Sequence, residues 1–173
     1  MNAVEVTHYG RVSRYLHWGM ALLFVWQFLT TSVRVLMSDT ALDELLWATH
    51  KPTGLLLLVL VVLRMGWALV SRASRPAALN AAARLGHLAL YGLMLLVPSL
   101  ALLRQYGSGR TFEPFGIPLM PGFEGEIEWM VAPGSLFHGV LGWVLLALIV
   151  GHVAMVMWHR RQGQDVLGRM LVR

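Results

Sequence analysis

The sequence contains no cysteine and few charged residues. Without cysteine the chain forms no disulfide, no thiolate metal site, no iron–sulfur cluster and no thioether link to a c-type haem. Charged residues make up only 13% of the 173 residues, whereas they make up about 25% of a soluble domain. Hydrophobic residues make up 57%, and the mean hydropathy is +0.61. These values favour a membrane protein over a soluble one.

Four long apolar segments account for the shortage of charge. They cover approximately residues 15–36, 45–70, 83–104 and 134–158, and none of them contains Asp or Glu. A helix needs about 20 apolar residues to cross the hydrocarbon core, and inside lipid it satisfies its own backbone polar groups. The sequence therefore predicts an all-α membrane protein. We expect a four-helix transmembrane bundle in which residues 1–173 form a single domain.

The basic residues are unevenly distributed and predict the orientation of the bundle. Arginines cluster in three segments. Arg11 and Arg14 lie at the start of helix 1, Arg72, Arg75 and Arg84 lie in or beside the loop between helices 2 and 3, and Arg160, Arg161, Arg169 and Arg173 follow helix 4. The two other loops contain the acids Asp39, Asp43, Glu44, Glu113, Glu124, Glu126 and Glu128. The positive-inside rule then places both termini in the cytoplasm. The net charge of +5 is thus an orientation signal, and no basic soluble surface suggests nucleic-acid binding.

Two further expectations concern the start of the chain and its longest loop. Residues 1–14 contain no short apolar region of the kind found in a cleavable signal peptide, so we expect the first helix to be the insertion signal.

Residues 105–133 are rich in Gly and Pro, which argues against a long helix. They are also too apolar for a solvated tether. We expect a folded external cap with room for one short helical turn near residues 126–131.

Five histidines fall at membrane depth, at positions where an imidazole is costly and needs a partner. They are His17, His50, His87, His138 and His152. His138 and His152 both lie on helix 4, about 21 Å apart along its axis. Their spacing returns them to within roughly 40° of the same face. Helix 4 therefore presents one histidine to the outer half of the bundle and one to the inner half.

Depth also predicts how these histidines pair. Only His50 shares the depth of His138, whereas His152 has either His17 or His87 as its inner partner. Bundles build cofactor sites from side chains on facing helices. Paired neutral imidazoles without carboxylates favour six-coordinate haem iron over a metal cage, which takes three or more ligands. For His87, hydrogen bonding to a haem propionate or a quinone is favoured over iron ligation.

Several glycines lie near the proposed ligands. Gly54 and Gly142 each follow one of these histidines by one helical turn. A missing side chain lets a flat ring or another backbone lie close. The sequence leaves open whether these glycines accommodate a cofactor or only helix packing.

Four sequence stretches resemble a known family. They are "RYLHW" in helix 1, "HKPTG" in helix 2, "RLGHLALYGLMLLVP" in helix 3 and "FHGVLGWVLLALIVGHVA" in helix 4. Over nearly its whole length the chain resembles the bacterial cytochrome b561 family of di-haem, quinone-linked membrane cytochromes. The resemblance implies two haem b groups, with His50 and His138 as outer ligands and His17 and His152 as inner ligands. It leaves His87 outside the iron pairs.

The resemblance also implies an oxidoreductase that transfers electrons between a donor at one face and ubiquinone. Some members resemble superoxide oxidases, which pass an electron from external superoxide to ubiquinone. Related cytochromes instead anchor soluble partners, so the alternative is a haem-b membrane anchor that relays electrons between a cytochrome c, hydrogenase or dehydrogenase and the quinone pool. An anionic substrate is steered by positive potential. The external loops hold seven acids against only four cations, Arg34, Lys51, Arg104 and Arg110.

Overall fold

The computed structural model describes residues 8–171, and four long helices dominate it. They are α1 (Arg11–Leu36), α2 (Ala41–Val70), α3 (Ala81–Gly107) and α4 (Glu128–Arg161). Each is long and apolar enough to cross a membrane. Short 3₁₀ turns occupy Arg72–Ser74 and Pro114–Gly116, and the described residues contain no strand beyond an isolated bridge between Phe112 and Met120. The prediction of an all-α, four-helix membrane protein is confirmed.

The helices extend beyond the apolar segments that predicted them, most clearly at the start of α4. This helix begins at Glu128 and continues through Pro133, so the external connection covers only residues 108–127. The helical turn expected near residues 126–131 is the first part of α4. Hydropathy marks where a helix enters the apolar region, whereas hydrogen bonding decides where the helix begins.

Polar caps set the first residues of α2 and α3. The Thr40 hydroxyl accepts the Asp43 N–H at 3.2 Å, and the Asn80 side-chain oxygen accepts the Ala83 N–H at 2.8 Å. Such caps satisfy N–H groups that have no partner inside the first helical turn. Both helices therefore start ahead of their apolar segments.

The four helices pack in chain order, and the bundle is not equally tight all round. α1 packs along α2, α2 along α3, and α3 most extensively along α4, whereas α4 has no comparable packing against α1 or α2. The buried core is small and centres on Met20, Leu57 and Val61. A membrane protein needs only a small buried core, because the outer faces of its helices contact lipid. At the outer end Gly134 lets α4 approach α3, because a Cβ there would lie 2.5 Å from the Arg104 Cβ.

Both ends of the described chain meet at one end of the bundle, which we call the inner end. The Tyr9 N–H donates to the Arg169 carbonyl at 3.1 Å, and the Arg14 guanidinium donates to the Leu171 carbonyl at 2.6 Å. The segment after α4 therefore folds back against the start of α1. Assignment of the inner end to the cytoplasm depends on the charge pattern and stays a prediction.

Two sequence expectations concern residues outside the described range. Arg173 was expected to be one of the inner cations, and residues 1–7 belong to the stretch expected to lack a cleavable signal. The structure describes neither.

Candidate functional site

The five membrane-depth histidines form two groups, one at each end of the bundle. In the outer group the ring centroids of His50 and His138 are 6.4 Å apart. In the inner group the His17 and His152 rings are 6.5 Å apart, and the His87 and His152 rings are 5.4 Å apart. The structure thus brings together the residues that depth alone grouped from the sequence.

A buried threonine fixes the hydrogen-bonding state of His50. The Thr30 hydroxyl lies 2.9 Å from His50 Nδ1, and the same hydroxyl donates its proton to the Gln27 carbonyl at 2.8 Å. A hydroxyl has one proton to donate, so with that proton on the Gln27 carbonyl the hydroxyl accepts from His50, which places the N–H on Nδ1. The other ring nitrogen, Nε2, then keeps its lone pair, which is the form in which imidazole binds a metal.

A backbone carbonyl has the same effect on His138. His138 Nδ1 lies 3.0 Å from the Val97 carbonyl oxygen of α3. Because a carbonyl only accepts, Nδ1 is the donor and Nε2 again keeps its lone pair. A metal-binding histidine commonly donates its second N–H in this way, which orients the ring and raises its basicity. Both outer histidines therefore have the outer-shell contacts of metal ligands.

The spacing of the rings tests whether each pair fits a single iron atom. A metal–imidazole bond is about 2.0 Å long and the nitrogen lies about 1.1 Å from the ring centre, so two axial imidazoles have centroids about 6.2 Å apart. The distances of 6.4 Å for His50 with His138 and 6.5 Å for His17 with His152 fit this value. The distance of 5.4 Å between His87 and His152 is too short.

The side of the bundle between α4 and the α1–α2 pair suits a flat cofactor. The two ring pairs that fit one iron both join α4 to the α1–α2 pair, across the side where the helices have no close backbone packing. A Cβ added at Gly142 would meet nothing within 4 Å, so this glycine is not needed for helix packing in the chain itself. Gly54 differs, because a Cβ there would lie 3.3 Å from the side-chain nitrogen of Gln27.

Neighbouring side chains hold the His50 ring in place. Trp47 stacks on it with centroids 4.5 Å apart and planes at 21°. The Gln27 side-chain nitrogen lies 3.2 and 3.1 Å from the two ring nitrogens, hence against the ring face, and donates to the His50 carbonyl at 3.1 Å. The Arg34 guanidinium lies 5.4 Å from the Trp47 ring centre and pairs at 2.6 Å with Asp43, which is fully buried.

A cation from α2 contacts the helix that carries His87. Tyr91 lies one helical turn after His87 on α3, and its hydroxyl accepts a hydrogen bond from Arg64 Nε at 2.8 Å. Arg64, from α2, is therefore the cation that completes the inner group.

The outer cations separate into two sets. Among residues 8–171 one ion pair is present, and it joins Arg34, one of the four outer cations, to Asp43. Lys51 donates to the Gln105 side chain at 2.9 Å and lies within electrostatic reach of Arg104 and Arg110. These three cations form a positive patch beside the outer histidines, which we call the Lys51 patch.

Sequence reasoning missed Thr30, Gln27 and the Val97 carbonyl. A polar residue inside an apolar helix is a usable signal for the first two. No sequence signal marks the carbonyl, because every residue has a backbone carbonyl. Only the tertiary structure shows which carbonyl meets His138.

Comparisons with known proteins agree with this arrangement. A family model described as "Prokaryotic cytochrome b561" matches residues 8–172. The protein named "Cytochrome b561 homolog 2" of Escherichia coli (strain K12) is 28% identical over 174 residues, which cover 94% of this chain and 90% of that protein. With a family match over almost the whole chain and four helices able to cross a membrane, this chain belongs to the prokaryotic cytochrome b561 family.

Proposed function

We propose that this protein transfers single electrons across the bacterial inner membrane through two b-type haems and exchanges them with ubiquinone. Residues 1–173 form one domain, with His50 and His138 as the outer axial ligands and His17 and His152 as the inner ones. The observation that carries the proposal is the spacing of these two ring pairs, 6.4 and 6.5 Å. A haem held by two imidazoles would supply a one-electron redox couple.

The protein contributes orientation and electrostatics. Thr30 and the Val97 carbonyl hold the Nδ1–H groups of His50 and His138, which keeps Nε2 of each ring as the metal-binding atom. The helices between the two levels are apolar, which would keep water away from haems bound there. His87 is proposed as a hydrogen-bonding residue for a propionate or a quinone, since its distance to His152 does not fit an axial pair.

The Lys51 patch favours superoxide as the electron donor. Its three cations lie at the outer end, and Lys51 directly follows the proposed ligand His50. Positive potential around a site raises the encounter rate of a small anion. In this reaction two superoxide anions each lose one electron and become O₂, while ubiquinone takes up both electrons and two protons and becomes ubiquinol.

A second candidate redox partner is a basic soluble redox protein, in line with a role as a membrane anchor that relays electrons between that protein and the quinone pool. The external cap exposes Glu113, Glu124, Glu126 and Glu128. Complementary charge steers protein association and sets its orientation. The acidic cap and the Lys51 patch therefore favour different redox partners at the same end of the bundle.

The experiment that tests the proposal uses the purified protein in detergent. A reduced-minus-oxidised spectrum and a haem assay should show low-spin haem b at two per chain, extractable by acidic organic solvent. One haem per chain, or a haem that survives extraction, would contradict the ligand assignment. The sample is then mixed either with ubiquinone and superoxide or with ubiquinol and an oxidised basic cytochrome c. Ubiquinol formation from superoxide supports the first partner, and cytochrome c reduction by ubiquinol supports the second.

A further inference from the structure

We propose that the inner end of the bundle contains a binding site for an anionic oxygen group, a carboxylate or a phosphate, carried by a membrane-bound molecule. The site consists of the guanidinium groups of Arg64 and Arg75 together with the rings of Tyr9 and Tyr91, and we call it the inner anion site. Two sources have this chemistry. The first source is a propionate of the inner haem, and this source rests on the proposed function. The second source is the phosphate of an anionic lipid headgroup, which is independent of the proposed function.

Arg64 is the main observation. It lies within the membrane-spanning helix α2, where a charged side chain needs a partner. Its Nε donates to the Tyr91 hydroxyl at 2.8 Å, and its Nη1 lies 3.4 Å from the Ser13 carbonyl. Both partners are neutral, and a guanidinium has five N–H donors. Within residues 8–171 no carboxylate lies at ion-pair distance from Arg64, so its charge and most of its donors remain available to a ligand.

Arg75 brings a second positive charge to the same place. It lies just beyond α2, donates to the Ala68 carbonyl at 3.3 Å, and has its guanidinium carbon 5.7 Å from the Tyr9 ring centre. Arg64 is placed in the same way over Tyr91, at 5.9 Å. Both arginines line one small cavity with the two tyrosines. Two cations at one cavity repel each other, and an anion between them removes that repulsion.

The walls of the cavity connect three parts of the chain. Besides the arginines and tyrosines, Ser13 of α1 and Trp67 of α2 line it. The Trp67 indole N–H donates to the Ser13 hydroxyl at 3.1 Å. Trp67 and Ser13 are thus paired with each other, whereas the two guanidinium groups keep N–H donors beyond the three bonds described above.

The position of the site favours a ligand that is already held in the membrane. Ser13, which Arg64 contacts, lies one helical turn before His17 on α1, and the Arg64 charge reaches His17, His87 and His152. An amphiphile anchored in the bilayer, or a cofactor bound between the helices, presents its anionic group at this depth. Arginine suits such a ligand, because its planar fork matches both carboxylate and phosphate oxygens.

The lipid arm of the test measures phosphate binding. The protein as purified is delipidated in neutral detergent and titrated with phosphatidylglycerol or phosphatidylcholine, and bound lipid is counted by native mass spectrometry. We expect phosphatidylglycerol to bind more tightly, and R64Q or R75Q to weaken its binding about tenfold, the effect of one lost charge-assisted hydrogen bond. The matched control is R72Q, which removes an exposed cation from the same inner end and should leave binding unchanged.

The haem arm measures carboxylate binding. The protein is reconstituted with haem b or with its dimethyl ester, which lacks the propionate charges, and the loss of haem to a scavenger protein is followed by absorbance. We expect R64Q to speed the loss of inner haem b about tenfold relative to R72Q. With the dimethyl ester, R64Q and R72Q should lose haem at the same rate.

Each result decides the proposal. A lipid effect identifies phosphate as the ligand, and an effect that depends on the free propionates identifies carboxylate. If R64Q does not fold, R75Q carries the test, because Arg75 lies outside the helices. Arginine variants that match R72Q in both arms overturn the inner anion site. A protein without haem would overturn the proposed function and still leave the lipid arm to decide this site.

Discussion

Thr30→Val is the sharpest test of the outer ligand pair. Valine has nearly the shape of threonine, so the change removes the hydroxyl while keeping the packing of a residue that is fully buried. The His50 Nδ1–H then loses the acceptor that lies 2.9 Å away. We expect a weaker outer haem, because a ring that has lost its outer-shell acceptor is less well oriented and less basic.

The size of the effect follows from these contacts. A buried N–H left without an acceptor costs about 1–3 kcal/mol, and loss of an outer-shell partner typically lowers metal affinity about 10- to 100-fold. The Gln27 carbonyl, which also bonds Thr30, keeps a second donor in Thr31 at 3.1 Å. The loss is therefore confined to His50. A less basic ligand stabilises ferric iron less, so the outer haem potential should also rise.

Thr31→Val is the matched control. The Thr31 hydroxyl donates to the same Gln27 carbonyl, whereas the His50 ring is bonded by Thr30. The assay is haem content per chain by pyridine haemochrome, together with a potentiometric titration that resolves two haems. Equal outer-haem affinity and potential in Thr30→Val and Thr31→Val would refute the role of Thr30 and with it the assignment of the Nδ1 proton.

Three further predictions test the ligand pairs and the donor. His138→Ala should remove the outer haem and leave the inner one, and His152→Ala should do the reverse, because the two levels lie about 21 Å apart; loss of both haems from either folded variant would contradict two separate sites. His17→Ala should abolish the inner low-spin absorbance, whereas His87→Ala should keep both haems and mainly slow quinone turnover; the opposite pattern would reverse the inner pairing. Lys51→Gln should slow superoxide-driven ubiquinol formation about two- to threefold at low ionic strength and much less at high salt; a salt-independent rate in both proteins would remove superoxide steering.

The number and type of the helices were predictable because they depend on local properties. Apolar length, the absence of acids and the distribution of arginine are read directly from consecutive residues, and the four helices are confirmed. The helix ends were less predictable. Thr40 and Asn80 start α2 and α3 through capping bonds, and α4 continues through Pro133 into a stretch that hydropathy assigned to the loop.

The candidate site divides in the same way. Helical spacing was enough to place five histidines at two depths and to put His138 and His152 on one face of α4, because rise and turn per residue are constant along a helix. Their role as haem ligands remains a prediction. Spacing did not distinguish His17 from His87 as the partner of His152. The centroid distances, 6.5 and 5.4 Å, favour His17.

The sequence by itself determined that this is a four-helix membrane protein with histidines at two levels. The tertiary structure alone decided that Thr30 and the Val97 carbonyl hold the outer rings, that Asp43 takes Arg34 out of the outer positive patch, and that Arg64 and Arg75 meet at the inner end. These contacts depend on how each helix is rotated about its own axis against helices distant in sequence. That rotation is set by packing across the whole bundle, which no local stretch of the chain contains.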